Sequence, residues 1–175
     1  MTTRKIKVKI ESMDRLWAPW RNAYILQAQK NENRCIFCEL PEENEDEKNF
    51  IVRRGKTAFV ILNIFPYNNG HLMVAPYRHI ARISSLKKEE SLEMMELLAQ
   101  AETTLRKTMK AENFNLGMNL GRAAGAGFDA HLHFHLVPRW NGDTNFMPVI
   151  SDTKVISQSL EEVYKLLSAN WAKKG

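Results

Sequence analysis

No apolar run in the chain approaches the roughly 18 residues that a membrane helix needs, so nothing in it reads as a span. No repeat or low-complexity tract is present, which leaves an ordinary globular reading. Cysteine is scarce, with two in 175 residues. Acidic residues are missing from the first ten positions, where Arg4, Lys5, Lys7 and Lys9 supply +4 of the formal charge of +5. Beyond them basic and acidic residues nearly cancel, so the high pI belongs to an N-terminal arm (1–13) and is not a nucleic-acid footprint. That arm also lacks the apolar core of a signal peptide. A cytoplasmic protein without membrane or nucleic-acid partners is expected.

What is present fits one well-cored domain over 14–175, at 44% hydrophobic and 26% charged residues. Its most informative stretch is His131-Leu132-His133-Phe134-His135-Leu136-Val137, which holds three of the five histidines. A β-strand alternates its side chains, so this spacing puts three imidazoles on one face and Leu132, Phe134 and Leu136 on the other. Across a flat strand His131 and His135 stand about 13 Å apart. One ion cannot easily collect all three, since metal–nitrogen bonds are about 2.0–2.1 Å. Two neighbours could bind a metal, and at least one is left as nucleophile, acid or phosphate donor.

Gly121 to Ala130 precedes that strand with three glycines and four alanines. Such bare backbone can bring N–H groups close to a ligand. No Gly-Lys-Ser/Thr follows, so it is not a Walker loop, and a histidine strand follows where a Rossmann turn would have a helix. Beside a histidine face it reads as a phosphate cradle at Gly125, Ala126 and Gly127.

Cys35-Ile36-Phe37-Cys38 is open to three readings. A disulfide is disfavoured in the cytoplasm. A redox pair would sit after a strand in a βαβ unit, which is missing. Half of a tetrahedral zinc site is the third, with His79 and His131 as the completing ligands.

Elsewhere Ile6, Val8 and Ile10 alternate with charge as a short strand or arm. Pro41 to Asn49 carries five acids and reads as a solvated loop. Thr57–Asn63 and His71–Ala75 read as a hairpin around Pro66–Gly70. Ser84 or Ser85 can cap a helix running to about Lys110, with Leu92, Met95, Leu98, Leu105 and Met109 as its apolar stripe. Phe114, Leu116, Met118 and Leu120 alternate as a strand, and Leu160, Val163, Tyr164, Leu167 and Trp171 mark a C-terminal helix. Few helices separate the strands, so the fold class expected is α+β: an antiparallel sheet with helices on one side.

The histidine run matches His-φ-His-φ-His-φ-φ, and on it the chain resembles the histidine triad nucleotide-binding proteins over roughly residues 14–172. Asn63 to His79 is similar to the ribose-binding strand and hairpin of that family, and Asn119 to its asparagine near the phosphates. His135 to Phe146 and Leu16-Trp17-Ala18-Pro19-Trp20-Arg21 resemble the branch containing bacterial diadenosine tetraphosphate phosphorylases. Two positions depart from the pattern. Gly127-Phe128-Asp129-Ala130 stands where many members have a Gln-Ser or Gln-Thr pair, and Asn63 where an aspartate is common. Asp129 is expected to face solvent or accept a backbone N–H.

The resemblance implies a twisted antiparallel sheet carrying a long helix, paired through that helix into a homodimer. It implies cleavage of adenine dinucleoside polyphosphates through a nucleotidyl intermediate on His133. His135 would donate to a phosphate oxygen, and His131 would fix the strand through zinc held with Cys35, Cys38 and His79. Asn63, Ile64, Phe65 and His71 would meet the nucleoside. Asn119 and Gly125–Gly127 would meet the near phosphates, and Arg139 and Trp140 the distal phosphates and a second base. A phosphoramidase using the same histidine, or a slow nucleotide-binding regulator, are the alternatives. Sequence does not separate phosphorolysis from hydrolysis, because the second nucleophile leaves no residue signature.

Overall fold

The computed structural model of the protein describes residues 35–143 and 156–172. The arm at 1–13 with Ile6, Val8 and Ile10, the segment Leu16 to Arg21, and Thr144 to Phe146 lie outside them.

β1 (Ile51–Arg54), β2 (Ala58–Leu62) and β3 (Leu72–Pro76) run as a meander. β2 and β3 are the expected hairpin, in unbroken register from Ala58↔Pro76 to Leu62↔Leu72. β4 (Asn113–Gly117) and β5 (Phe134–Arg139) complete an antiparallel sheet ordered β1-β2-β3-β5-β4 among the described residues. β5 is therefore interior, hydrogen-bonded to β3 on one side and β4 on the other. Every residue of β2 and β3 is buried, so both faces of the sheet centre must be covered.

α2 (Lys88–Met109) and α3 (Leu160–Ala169) cover one face. There Val60, Leu62, Leu72, Val74 and Leu136 pack in one cluster with Met94, Leu97, Leu98, Ala101, Leu105, Val163 and Leu167. The other face is closed by α1 (Ile36–Glu42), which sets Phe37 against Phe59, Ile61, Met73 and Ala75. The expectation of helices on one side is thus corrected. The class is α+β, but the apolar second face of β2 and β3 draws a short helix onto it. Among the described residues no helix is long and apolar enough to cross a membrane.

Two details of α2 differ from expectation. Its cap is Lys87, while Ser84 and Ser85 lie in a 3-10 turn, Ile83–Ser85. Glu90 explains the shift: its carboxylate accepts the Lys87 N–H (2.8 Å) and the Arg78 guanidinium fork (2.8 and 2.7 Å). A charged acceptor at the positive end of the helix outweighs a serine hydroxyl. Those bonds, the Arg78 one first, hold the Glu90 carboxyl down at about 2. The apolar stripe also turns: Met94, Leu97, Ala101 and Leu105 face inward, whereas Leu92 and Met95 are 60% and 54% exposed.

The acidic segment 41–49 is less free than expected. Arg54 forks Asp46 (2.9 and 2.7 Å) and bonds the Pro41 carbonyl (2.8 Å), and Asn49 is buried. Gly70 closes the hairpin turn at φ +75°, and a Cβ there would stand 2.8 Å from the Met109 sulfur, so the turn packs directly on the end of α2.

Candidate functional site

The histidine strand is shorter than its motif. The β ladder starts at Phe134, because the Leu132 N–H donates to the Ile80 carbonyl (2.6 Å) and not to β3. His131 and His133 thus precede β5, yet both still meet Phe37 on the α1 side of the sheet. His131 and His133 are buried, and His135 is half-buried. The rings of His133 and His135 stand 4.8 Å apart at 75°.

Backbone groups set the protonation of each ring. His133 Nδ1 lies 2.8 Å from the His131 carbonyl, which can only accept, so Nδ1 carries the proton and Nε2 keeps its lone pair. His71 Nδ1 accepts the Tyr67 backbone N–H (3.1 Å), so the His71 proton sits on Nε2 and points at His135 Nδ1, 3.0 Å away. His135 Nδ1 is then an acceptor, and its own proton is on Nε2. Burial lowers the His133 pKa, against the pull of the His131 carbonyl. Burial, followed by the nearby His135 and His133, drives His71 down to about 3. The arrangement offers one neutral nucleophilic nitrogen on His133 beside a donor on His135.

A second cluster adjoins the first. Cys35 caps α1 and Cys38 lies in its first turn, with the Cys38 and Glu39 N–H groups both donating to the Cys35 carbonyl (2.9 Å each). His131 Nε2 donates to the Pro76 carbonyl (2.8 Å), which turns an unprotonated Nδ1 toward the thiols. Cys35 Sγ is 3.2 Å and Cys38 Sγ 3.6 Å from that nitrogen, and Cys38 Sγ is 3.3 Å from His79 Nδ1. All four ligand atoms fall within 4.8 Å of one another. Two sulfurs and two nitrogens at these separations suit a tetrahedral ion with bonds of about 2.0–2.3 Å. Burial first, then the Cys35 hydrogen bond, pushes the Cys38 thiol up to about 12.

The nucleotide-binding candidates lie on the hairpin turn, just beyond β4 and on the glycine loop. Ile64 and Phe65 are 53% and 50% exposed on the hairpin turn, while His71 is fully buried beneath it. Both ends of the Asn63 amide serve the turn: Oδ1 accepts the Phe65 N–H (2.9 Å) and Nδ2 faces His71 Nδ1 (3.3 Å). Asn119 is half-buried just beyond β4, whose Gly117 pairs in register with His135. Gly125 takes a left-handed φ of +87°. The N–H groups of Gly125 and Ala126 donate within the loop to Arg122 and Gly121 (2.9 and 3.4 Å), and Gly127 is half-buried. Asp129 keeps about a third of its side chain exposed and there pairs with the Arg122 guanidinium of its own loop (3.1 Å).

Arg139 and Trp140 are tied into structure at the far end of β5. Arg139 forks Asp143 (2.6 and 2.9 Å) and bonds Asn115 (2.9 Å). Trp140 packs on the α2 side and donates its indole N–H to the Met109 carbonyl (3.1 Å). Both contacts compete with the distal-phosphate and second-base roles expected for these residues.

Three contributors escaped sequence reasoning. Phe37 stacks on His133, Phe128 of the glycine loop meets Phe37 edge-on, and Tyr67 tilts over His71 and His135. Only Phe37 carried a signal, its place between the two cysteines.

The family model for the HIT domain matches residues 44–142. The chain is 39% identical over 170 residues to an AP-4-A phosphorylase of Mycobacterium tuberculosis, covering 93% of this chain and 87% of that protein. It is 31% identical over 109 residues to an adenosine 5'-monophosphoramidase of Schizosaccharomyces pombe, covering 61% of this chain and 75% of that protein. A crystal structure of a zinc-bound histidine triad family protein from Mycobacterium smegmatis superposes with a TM-score of 0.63 at 26% identity, over 78% of this chain and 91% of that one.

Proposed function

The chain belongs to the HIT domain family, and from that premise we propose that it cleaves adenine dinucleoside polyphosphates, with diadenosine tetraphosphate as substrate, through a nucleotidyl-His133 intermediate. The observation that carries this reading is the tautomer of His133. Its Nδ1 proton is held by the His131 carbonyl, so Nε2 is free to attack phosphorus.

In the first step His133 Nε2 bonds to the α-phosphorus, and the bond to the departing triphosphate breaks, releasing ATP. His135, oriented by His71 Nε2, offers its Nε2 proton to a phosphate oxygen. Asn119 and the Gly125–Gly127 loop, whose Gly125 and Ala126 N–H groups would have to turn away from the Arg122 and Gly121 carbonyls, stabilise the charge that develops on the non-bridging oxygens. In the second step phosphate or water attacks the same phosphorus, the P–N bond breaks, and His133 regains its lone pair. Ile64 and Phe65 give the base an apolar surface beside the turn that Asn63 holds.

Cys35, Cys38, His79 and His131 would hold zinc, which supplies cross-linking of α1 to the histidine segment and no part of the phosphoryl chemistry. Exposed Leu92 and Met95 on α2 support a homodimer paired through that helix. The adenosine 5'-monophosphoramidase relative favours a second reading, in which the same His133 attack breaks a P–N bond.

Incubation with diadenosine tetraphosphate and, separately, adenosine phosphoramidate tests both. With phosphate present, ADP plus ATP marks phosphorolysis; AMP plus ATP marks hydrolysis. Turnover of the phosphoramidate alone would replace the first reading with the second.

A further inference from the structure

Phe37 sits inside the Cys35-x-x-Cys38 turn, yet its ring lies on the catalytic side of that turn. It stacks on His133 with centroids 4.7 Å apart and planes at 29°, and meets His131 at 5.2 Å. Phe128, from the glycine loop, stands edge-on to it at 5.9 Å and 81°, and Phe59 backs it at 6.5 Å. The ring is 1% exposed, so it offers no surface to a ligand. Its contacts are all internal, and they join three parts of the site: the cysteine turn, the nucleophile and the phosphate loop.

The contacts that hold His133 are the His131 carbonyl, the edge-on His135 ring at 4.8 Å and the Phe37 face. The His131 carbonyl fixes Nδ1, but one hydrogen bond leaves the ring free to swing about it. A face-stacked neighbour removes that freedom, because tilting the imidazole would break ring contact in the favoured 4.5–7 Å range. Phe37 in turn is positioned by its backbone, two residues from Cys35 and one from Cys38. The α1 helix that carries it is seven residues long and has no side-chain cap at Cys35, so it has little stability of its own. Arg54 and Asn49 hold its C-terminal end through the Pro41 and Leu40 carbonyls, and cross-linking by a metal at the two sulfurs would hold its N-terminal end.

We propose that Phe37 is a positioning residue for His133, and that it couples occupancy of the Cys35–Cys38–His79–His131 site to the alignment of the nucleophile. The proposal rests on the zinc and nucleotidyl-histidine readings above. The metal then does more than staple the fold: its loss releases the ring that sets the attack geometry, while the hairpin turn at Asn63 to Phe65 is untouched.

The test compares wild type and Phe37→Leu, each loaded with one equivalent of zinc, by elemental analysis, steady-state kinetics and NMR of the imidazole protons at one pH. Stacking under an aromatic face shields the His133 ring protons. In F37L those signals move downfield, zinc content stays at one per chain, KM stays within about threefold and kcat falls about 10- to 100-fold, the scale of a misplaced reactive group. Chelating zinc from wild type moves the same His133 signals in the same direction, leaves His71 signals in place, and adds no further shift in F37L. If F37L does not fold, Phe37→Met takes its place in both arms, because His131 links zinc to His133 directly and only an aromatic-free variant separates the two routes. Wild-type His133 signals unmoved by chelation, or a protein that takes up no zinc, would overturn the coupling. F37L signals unchanged from wild type would overturn the positioning role. Because the NMR arm needs no turnover, failure of the nucleotidyl reading shows separately, as a wild type that cleaves no dinucleotide.

Discussion

His71 Nε2 lies 3.0 Å from His135 Nδ1, and the Tyr67 backbone N–H lies 3.1 Å from the other nitrogen of His71. A main-chain group on the hairpin turn therefore determines which nitrogen of His135, 64 residues beyond His71, carries a proton. Nothing in this relay needs a charged residue. It works because His71 is buried and stays neutral, so it can donate in one direction and accept in the other.

Removing the relay should misplace the proton on His135 without removing the nucleophile. His71→Ala is expected to lower kcat at least tenfold, with a smaller change in nucleotide affinity. Steady-state kinetics with the dinucleotide read both. A wild-type kcat in this variant would show that His135 needs no orientation from His71.

Burial also makes His71 a liability in acid. Its pKa is about 3 folded, with His135 and His133 facing it, and near 6.5 in an unfolded chain. Between those values the unfolded state binds a proton that the folded state refuses. The stability due to neutral His71 is therefore full above pH 6.5 and lost as pH falls toward 3, by up to about 1.4 kcal/mol per pH unit. Urea midpoints of wild type and His71→Asn at pH 7.5 and 5.5 check this. Wild type should lose more stability than the variant between the two.

Asp143 is a hub of a different kind. Its side chain is 7% exposed and accepts from Arg139 twice, from Asn68 Nδ2 (2.8 Å) and from the Trp140 N–H (3.1 Å). Asn68 also bonds the Pro138 carbonyl (3.0 Å), so the network ties the hairpin turn to the end of β5. Asp143→Ala should cost about 2 kcal/mol, below the range for fully buried pairs because Arg139 can turn to water. Denaturant unfolding measures it, and a loss under about 0.5 kcal/mol would show that the turn holds itself.

The sequence made the chemistry more legible than the scaffolding. Three histidines in alternation pointed to the candidate site, and Cys35, Cys38, His79 and His131 do converge. The β2–β3 hairpin and the C-terminal helix were also readable, the first as two apolar runs flanking the Pro66–Gly70 turn, the second by its 3.6-residue period. α2 was readable in extent but not in phase. Leu92 and Met95 continue a second apolar stripe beside Met94 and Leu97, and periodicity alone does not rank two stripes. Lys87 as cap depended on Arg78 reaching Glu90, a contact set by the fold. Phe37 on His133 and Tyr67 over His71 are long-range ring contacts with no local pattern at all.

The central claim is that His133 Nε2 forms a covalent bond to the nucleotide, and trapping that bond tests it most directly. Diadenosine tetraphosphate labelled in the adenosine and α-phosphate is mixed with excess enzyme, quenched in base within milliseconds, digested and mapped. The account predicts an acid-labile, base-stable adenylyl group on the peptide containing His133, placed on that residue and on neither His131 nor His135. It should be absent from His133→Ala, which should still bind the nucleotide within a few-fold of wild type. No adduct under single-turnover conditions, together with near-normal kcat in His133→Ala, would contradict the mechanism.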